Sequence, residues 1–182
     1  MEISNYLKEW ILFKLNFFNG HNSVSMHSLP GTYALVLNSM SEKSVAVGRL
    51  GTIRLKPGFY VYIGSAFGPG GLAARIGHHL KNSGRPHWHI DYLRPALRPY
   101  EVWYSFDPIP REHQWVEIHA RASNASIPLP GFGSSDCRCS SHLFFYQIPP
   151  SGSYFRRRIR TAFQDHGRFM IAKAKNFLTN YP

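Results

Sequence analysis

The first half of the chain alternates short apolar runs with turn residues, a pattern typical of β-strands. Four strands are predicted in this region, at residues 31–37, 44–48, 52–55 and 59–64. The turn signal Lys56-Pro57-Gly58 leads into the last of them. Because side chains alternate across a strand, Tyr60 and Tyr62 share one face of it, while Val61 and Ile63 share the other.

Helical spacing of apolar residues dominates the next part of the chain. Leu72, Ile76 and Leu80 recur at every fourth position and form an apolar stripe, which predicts a helix at residues 72–81. A second helix is predicted at residues 111–123, after a Pro110 that suits a first turn. The remaining pattern predicts strands at 101–106 and 142–146, a loop at 131–141, and a basic amphipathic helix after residue 151.

Length and composition indicate one globular domain with appendages. The chain has 182 residues, of which 43% are hydrophobic and 15% aromatic. We predict an N-terminal extension at residues 1–29, a domain at 30–150 and a basic C-terminal segment at 151–182. Met26 precedes the first patterned strand, so it is an alternative start. The apolar runs of residues 1–29 are too short to span a bilayer and lack the features of a secretory signal.

The charge balance points to a polyanionic partner. Lys and Arg number 21 against 10 acidic residues, which gives a formal net charge of +11. Such a surplus is typical of proteins that bind nucleic acid or an anionic membrane surface. The two cysteines, Cys137 and Cys139, are too few for a disulfide framework, so a cytoplasmic location is expected.

One arrangement carries candidate chemistry for phosphodiester cleavage. Arg75 and His79 are four residues apart on the predicted helix and therefore share a face, soon after the strand that carries Tyr62. Cleavage needs donors for charge developing on phosphate oxygens, a group that activates water, and usually a metal. Arginine supplies such donors, and a phenol or an imidazole can act as the base.

Four motifs, taken in their order along the chain, resemble those of the GIY-YIG nuclease superfamily. The elements that carry the resemblance are Gly31-Thr32-Tyr33, Tyr62-Ile63-Gly64, Arg75 with His79, and Glu117 on the second helix. The stretches at 87–93 and 131–137 are similar to the Uri-type branch of that superfamily. The resemblance covers residues 29–146 and implies an α/β (α+β) fold, with a small, mainly antiparallel sheet flanked by helices.

The resemblance also implies a function, that of a metal-dependent endonuclease acting on DNA, in repair or in the processing of structured DNA. Tyr62 or Tyr33 would orient and deprotonate the attacking water, and Arg75 would steady the phosphate. His79 would assist proton transfer, and Glu117 would hold a single Mg²⁺ or Mn²⁺. Two neighbours compete for these roles: Tyr60 stands two residues before Tyr62, and Glu112 stands five before Glu117.

Two other functions remain open at this point. The first is a DNA-binding module of the same fold without catalytic activity. The second is a metallohydrolase, because His87, His89 and Asp91 would share one face if they lay on a strand. We favour structural histidines that brace the catalytic helix.

A zinc site is the remaining possibility in the loop that precedes the last strand. Cys137, Cys139 and His142 offer two thiols and an imidazole, with His89 as a possible fourth ligand. Zinc-binding cysteines usually come as Cys-x-x-Cys, so this spacing disfavours a structural Zn²⁺. The arginines at 156–160 form either a phosphate-binding strip or a solvated terminus.

Overall fold

The computed structural model describes residues 29–81 and 84–176. The predicted N-terminal extension and the alternative start at Met26 lie outside the described residues, except for the buried Leu29. The elements, in chain order, are β1 (Gly31–Ser39), β2 (Lys43–Val47), β3 (Gly51–Leu55), β4 (Gly58–Ala66), α1 (Gly71–Leu80), α2 (His89–Leu93), β5 (Arg98–Ser105), α3 (Glu112–Ala120), β6 (Leu143–Tyr146), α4 (Gly152–Ala162) and β7 (Phe169–Lys173).

Five strands form one antiparallel sheet in the order β6-β4-β1-β5-β7, and β2 and β3 form a separate hairpin. The predicted fold class, a small antiparallel sheet flanked by helices, is therefore confirmed. Among the described residues, no helix has the length and apolar character needed to cross a membrane.

Strand alternation places a hydrophobic core on each face of the sheet. Tyr33, Leu35 and Tyr62 face one layer, which contains α1 and the β2–β3 hairpin. Ala34 and Val36 face the other, where aromatic side chains of α3 and α4 pack against the sheet. The central strands are covered on both sides, which explains why β1 is buried along almost its whole length.

The C-terminal segment does not form a separate appendage at the predicted boundary of residue 150. The predicted amphipathic helix exists as α4, and it buries Phe155 and Ile159 in the core. The strand that follows, β7, pairs with β5 and extends the sheet. β7 is missing from the sequence-based prediction because the apolar run Phe169–Ala172 is too short to distinguish a strand from a helix by its pattern.

Candidate functional site

The two tyrosine motifs lie side by side on the central strands. Tyr33 of β1 pairs with Gly64 of β4, and Leu35 pairs with Tyr62. A Cβ atom at Gly64 would lie 2.5 Å from the Tyr33 hydroxyl oxygen, so only glycine leaves room for that phenol. The rings of Tyr33 and Tyr62 lie on the same face of the sheet with their centroids 6.5 Å apart.

Helix α1 brings the predicted arginine and histidine to the same face. Its first turn packs closely on β1, because a Cβ atom at Gly31 would lie 2.6 Å from the Leu72 side chain. The buried His79 ring lies 5.9 Å from that of Tyr33 and 6.0 Å from that of Tyr62, measured between centroids. The structure therefore brings together the two tyrosines and the histidine.

A chain of hydrogen bonds connects Tyr33, His79 and Asp91. The Tyr33 hydroxyl lies 2.9 Å from His79 Nε2, and His79 Nδ1 lies 2.9 Å from Asp91 Oδ1. Burial acts to raise the pKa of Asp91, but hydrogen bonds from His79 and from the backbone of Trp88 and His87 hold it well below its usual range. Asp91 is thus an ionised acceptor, and Nδ1 of His79 must carry the proton.

The protonation states of the other two groups follow from this assignment. Burial lowers the pKa of His79 despite the neighbouring Asp91, so the imidazole is neutral at neutral pH. A neutral ring with its proton on Nδ1 has only an acceptor at Nε2, so the Tyr33 hydroxyl donates. Burial raises the pKa of Tyr33, with a further contribution from Tyr62, and burial also raises the pKa of Tyr62. Both phenols are therefore protonated at neutral pH.

Arg75 lies at the mouth of the same site. Its guanidinium carbon is 4.1 Å from the centroid of the Trp88 ring, a cation–π arrangement that fixes the direction of the side chain. The residue is partly exposed, so its donors remain accessible.

The structure does not bring Glu117 to this cluster. Its side chain is 47% exposed and forms a surface ion pair with Arg121, at 2.6 Å. Glu112, the other acidic residue of α3, lines the site instead, with a side chain that is 19% exposed. Five residues along a helix rotate a side chain by about 140°, so Glu112 and Glu117 point in nearly opposite directions.

Glu112 is held in place by two neighbours. Its Oε1 lies 2.7 Å from Nδ1 of His142, and Ser65 hydrogen-bonds to its carboxylate. Burial acts to raise the pKa of Glu112, but the hydrogen bonds from His142 and Ser65 outweigh burial and hold the pKa below its usual range. The site therefore contains a partly exposed carboxylate that is ionised at neutral pH.

These groups open into a single polar cleft of about 260 Å³. Its wall combines both tyrosines, the end of β4, α1, the start of α3 and the loop before β6. The lining residues are Tyr33, Tyr62, Gly64, Ser65, Arg75, His87, Trp88, His89, Glu112, Gly133, Ser135 and Asp136.

Tyr60 does not compete with Tyr62 for a place in the cleft. Its hydroxyl is 2.7 Å from the backbone nitrogen of Lys56 and 3.2 Å from the carbonyl oxygen of the same residue. Tyr60 therefore closes the turn before β4.

The proposed triad of His87, His89 and Asp91 does not form a shared metal cage. These residues do not lie on a strand, since α2 begins at His89. Asp91 points to His79, the exposed His87 contributes a backbone N–H to Asp91, and His89 Nδ1 accepts a hydrogen bond from the Gly133 backbone. The bracing contact to α1 therefore comes from Asp91 and not from the predicted histidines, whereas His89 braces the loop before β6.

That loop places its two thiols beside the predicted His142, but the fourth group is not the predicted His89. Cys137 Sγ lies 3.3 Å from Nε2 of His142, and Cys139 lies nearby. The fourth group is His113 of α3, whose ligand atom lies within 4.8 Å of those of the other three. The separation along the chain hides this relation, because α3 and the loop meet only in the folded protein.

Sequence reasoning named Asp91 and Glu112 but assigned neither of them to this site. Asp91 belongs to a His-x-His-x-Asp segment that was interpreted as a possible metal site. Glu112 was considered only as a competitor of Glu117, five residues before it on the same helix.

Comparisons with known proteins give one result. A family model described as "Domain of unknown function DUF123" matches residues 32–165, a range that includes every group lining the cleft. No curated protein and no solved structure matches the chain.

Proposed function

From the premise that the chain belongs to the DUF123 family, whose function is unknown, we propose that it is a metal-dependent endonuclease that hydrolyses phosphodiester bonds in DNA. We further propose that it is a GIY-YIG nuclease of the Uri type that acts in the cytoplasm on structured DNA. The observation that supports this proposal is the convergence of Tyr33, Tyr62, Arg75 and Glu112 on one polar cleft, with His79 hydrogen-bonded behind Tyr33.

The base in this proposal is the hydrogen-bonded chain that ends at Tyr33. Because burial raises its pKa, Tyr33 is a protonated phenol and not a phenolate, so it can accept a proton only as it gives up its own. As a water molecule transfers a proton to the Tyr33 oxygen, the phenol transfers its own proton to Nε2 of His79. The resulting imidazolium is stabilised by the Asp91 carboxylate, as in other acid–base triads.

The water oxygen, now a hydroxide, then attacks phosphorus, and the bond between phosphorus and the leaving oxygen breaks. The leaving oxygen takes up a proton from solvent, and the imidazolium releases its proton through the phenol, which restores the starting state. Charge accumulates on the non-bridging oxygens during this step, and preorganised cationic donors stabilise it. Arg75 is suited to this role because its guanidinium is always charged and stacking on Trp88 has already fixed its direction.

The cleft also fits a hard divalent cation. Glu112 offers an ionised carboxylate that opens to the cleft, and Asp136 lines the same wall. Oxygen donors of this kind, completed by water and phosphate, are what Mg²⁺ and Mn²⁺ prefer. When bound there, the cation would supply charge stabilisation at the phosphate and the leaving oxygen. We therefore propose Glu112, and not Glu117, as the metal ligand.

The experiment that tests the proposal compares two isosteric variants on the same helix. The substrates are duplex, flap and branched DNAs, each incubated with Mg²⁺, with Mn²⁺ and with EDTA. Glu112→Gln should lower cleavage about a hundredfold or more, whereas Glu117→Gln should cleave at the wild-type rate, because that side chain pairs with Arg121 at the surface, away from the cleft lining.

Two results would contradict the proposal. If the wild-type protein binds these DNAs and cuts none of them with either cation, it is a DNA-binding module without activity. If Glu117→Gln loses activity and Glu112→Gln retains it, the cleft is not the metal site.

A further inference from the structure

Four potential metal ligands meet at the outer side of the loop before β6. His113 belongs to the first turn of α3, Cys137 and Cys139 belong to the loop, and His142 lies directly before β6. Their ligand atoms all lie within 4.8 Å of one another. Cys137 Sγ and His142 Nε2 are 3.3 Å apart, and the rings of His113 and His142 are separated by 6.1 Å between centroids.

These separations are close to those of a tetrahedral site. Zinc binds thiolate sulfur at about 2.3 Å and imidazole nitrogen at about 2.0–2.1 Å, which places the ligand atoms about 3.3–3.8 Å from one another. Small side-chain rotations would bring this cluster into that range. His113 is exposed and both cysteines are partly exposed, so these side chains are free to rotate and an ion can enter.

We propose that His113, Cys137, Cys139 and His142 bind one zinc ion. Two thiolates and two imidazoles form a soft, nitrogen- and sulfur-rich set that selects Zn²⁺ over Mg²⁺. Four protein ligands close the coordination sphere, so the ion is structural. The sequence disfavoured this site because a Cys-x-Cys spacing is unusual, and it did not reveal His113, which lies 24 residues before Cys137.

The second nitrogen of His142 connects this site to the cleft. Nε2 faces the thiols, while Nδ1 lies 2.7 Å from Glu112 Oε1. Histidine ligands of zinc commonly donate their other N–H to a carboxylate, which fixes both the ring and the carboxylate. The zinc ion would therefore position Glu112, and it would also hold the loop that contributes Gly133, Ser135 and Asp136 to the cleft.

The other cluster of candidate ligands does not have the same character. His78, His79 and Asp91 also have ligand atoms within 4.8 Å of one another. Asp91 already accepts from both histidines, and His79 Nε2 accepts from Tyr33. Its donors and acceptors therefore form a closed set of hydrogen bonds around a carboxylate, whereas the cysteine cluster offers two thiols that form no disulfide.

The test measures the metal content of the full-length protein by mass spectrometry after purification in buffers without added metal. Wild-type protein should retain about one zinc per chain. The double variant Cys137→Ser/Cys139→Ser should retain almost none. His113→Ala should lose zinc to a chelator faster than the wild type, whereas the matched control His87→Ala, another exposed histidine, should retain it like the wild type.

Two further measurements keep the test valid where a variant does not fold. Cobalt replacing zinc in the wild-type protein should give thiolate charge-transfer bands, and chelation should lower the melting temperature until Zn²⁺, but not Mg²⁺, is added back. Wild-type protein without zinc and without cobalt–thiolate bands would overturn the proposal, as would a double serine variant that retains zinc. These outcomes do not depend on DNA cleavage, so the zinc site and the proposed nuclease activity can fail separately.

Discussion

Glu112 and Glu117 show how little residue identity alone determines. Both are acidic residues on α3, and the sequence offered no physical reason to separate them. In the structure the first bonds to His142 and Ser65 beside the cleft, while the second pairs with Arg121 in solvent. The difference arises because the helix turns the two side chains in nearly opposite directions. Which of the two faces the cleft depends on how α3 packs on the sheet, and the sequence does not show this packing. In contrast, strand alternation and helical spacing, together with the resemblance to the GIY-YIG superfamily, predicted the positions of four other residues: Tyr33, Tyr62, Arg75 and His79.

The hydrogen-bonded chain at Tyr33 leads to a prediction about single atoms. Tyr33→Phe removes only the hydroxyl that donates to His79, so cleavage should fall about a hundredfold while DNA affinity stays within about twofold of the wild type. Asp91→Asn should also be severe, because the amide cannot stabilise the imidazolium. Single-turnover cleavage and DNA binding are measured on the same preparations.

The control for this prediction is Tyr60→Phe, whose hydroxyl bonds to the backbone of Lys56 away from the cleft. Tyr60→Phe should retain wild-type cleavage. Full activity in Tyr33→Phe would show that the base lies elsewhere in the cleft.

His119 gives a prediction about pH and stability. It is fully buried among Trp103, Phe144 and Phe155, and burial lowers its pKa from 6.5 to about 3. Nδ1 lies 2.6 Å from the Tyr146 hydroxyl, and no described residue bonds to Nε2. Below pH 6.5 the His119 imidazole binds a proton in the unfolded chain but stays neutral in the folded protein. The stability present above pH 6.5 is therefore lost as the pH falls toward 3.

The size of this loss of stability follows from the difference between the pKa of His119 in the unfolded and in the folded protein. Between pH 7 and pH 5 the free energy of unfolding should fall by about 2 kcal/mol through His119 alone. His119→Phe removes this contribution, so urea titrations at the two pH values should show a correspondingly smaller loss for the variant. Equal losses in both proteins would mean that His119 does not remain neutral in the fold.

Among the elements, those with a long and regular pattern were predicted well and short ones were not. β4 and α1 follow their predicted ranges within a few residues. In β4 the side chains alternate between the two faces over many positions, and in α1 apolar residues recur at every fourth position. α2 has five residues and was considered as a strand. It forms a helix because Asp91 accepts hydrogen bonds from the backbone N–H groups of His87 and Trp88. β7 depends on pairing with β5, which no local pattern reveals.

The close packing of β1 on β4 can be tested with two glycines. A Cβ atom at Gly64 would lie 2.5 Å from the Tyr33 hydroxyl and 2.7 Å from its ring, whereas one at Gly68 would meet nothing within 4 Å. Gly64→Ala should therefore lower the free energy of unfolding by about 1–3 kcal/mol and displace Tyr33. Gly68→Ala should change the stability by less than about 0.5 kcal/mol. Urea unfolding measures both, and equal stability of the two variants would contradict the tight contact.

At the scale of the whole molecule, the +11 charge supports the proposed DNA binding only through residues that face the DNA. Helix α4 buries Phe155 and Ile159 and leaves Arg156, Arg157 and Arg160 exposed. Beyond α4, Asp165 pairs with Arg111, the neighbour of Glu112. We expect these arginines to contact the phosphates of bound DNA, on the face of the sheet opposite Tyr33 and Tyr62. Removing the C-terminal segment is not a usable test, since α4 and β7 are part of the core and the sheet.

The sharper test removes the same charge from two places. In the first triple variant, three exposed arginines of α4 become Gln: Arg156, Arg157 and Arg160. In the matched control, three exposed arginines elsewhere become Gln: Arg49, Arg54 and Arg98. The net charge of both proteins changes from +11 to +8. Binding to a short duplex is measured over a series of salt concentrations. Each lost phosphate contact lowers the slope of log K against log salt by about 0.9, so the α4 variant should show the flatter dependence. If both variants keep the wild-type slope, α4 carries its arginines only as a solvated face, and DNA reaches the cleft from another side.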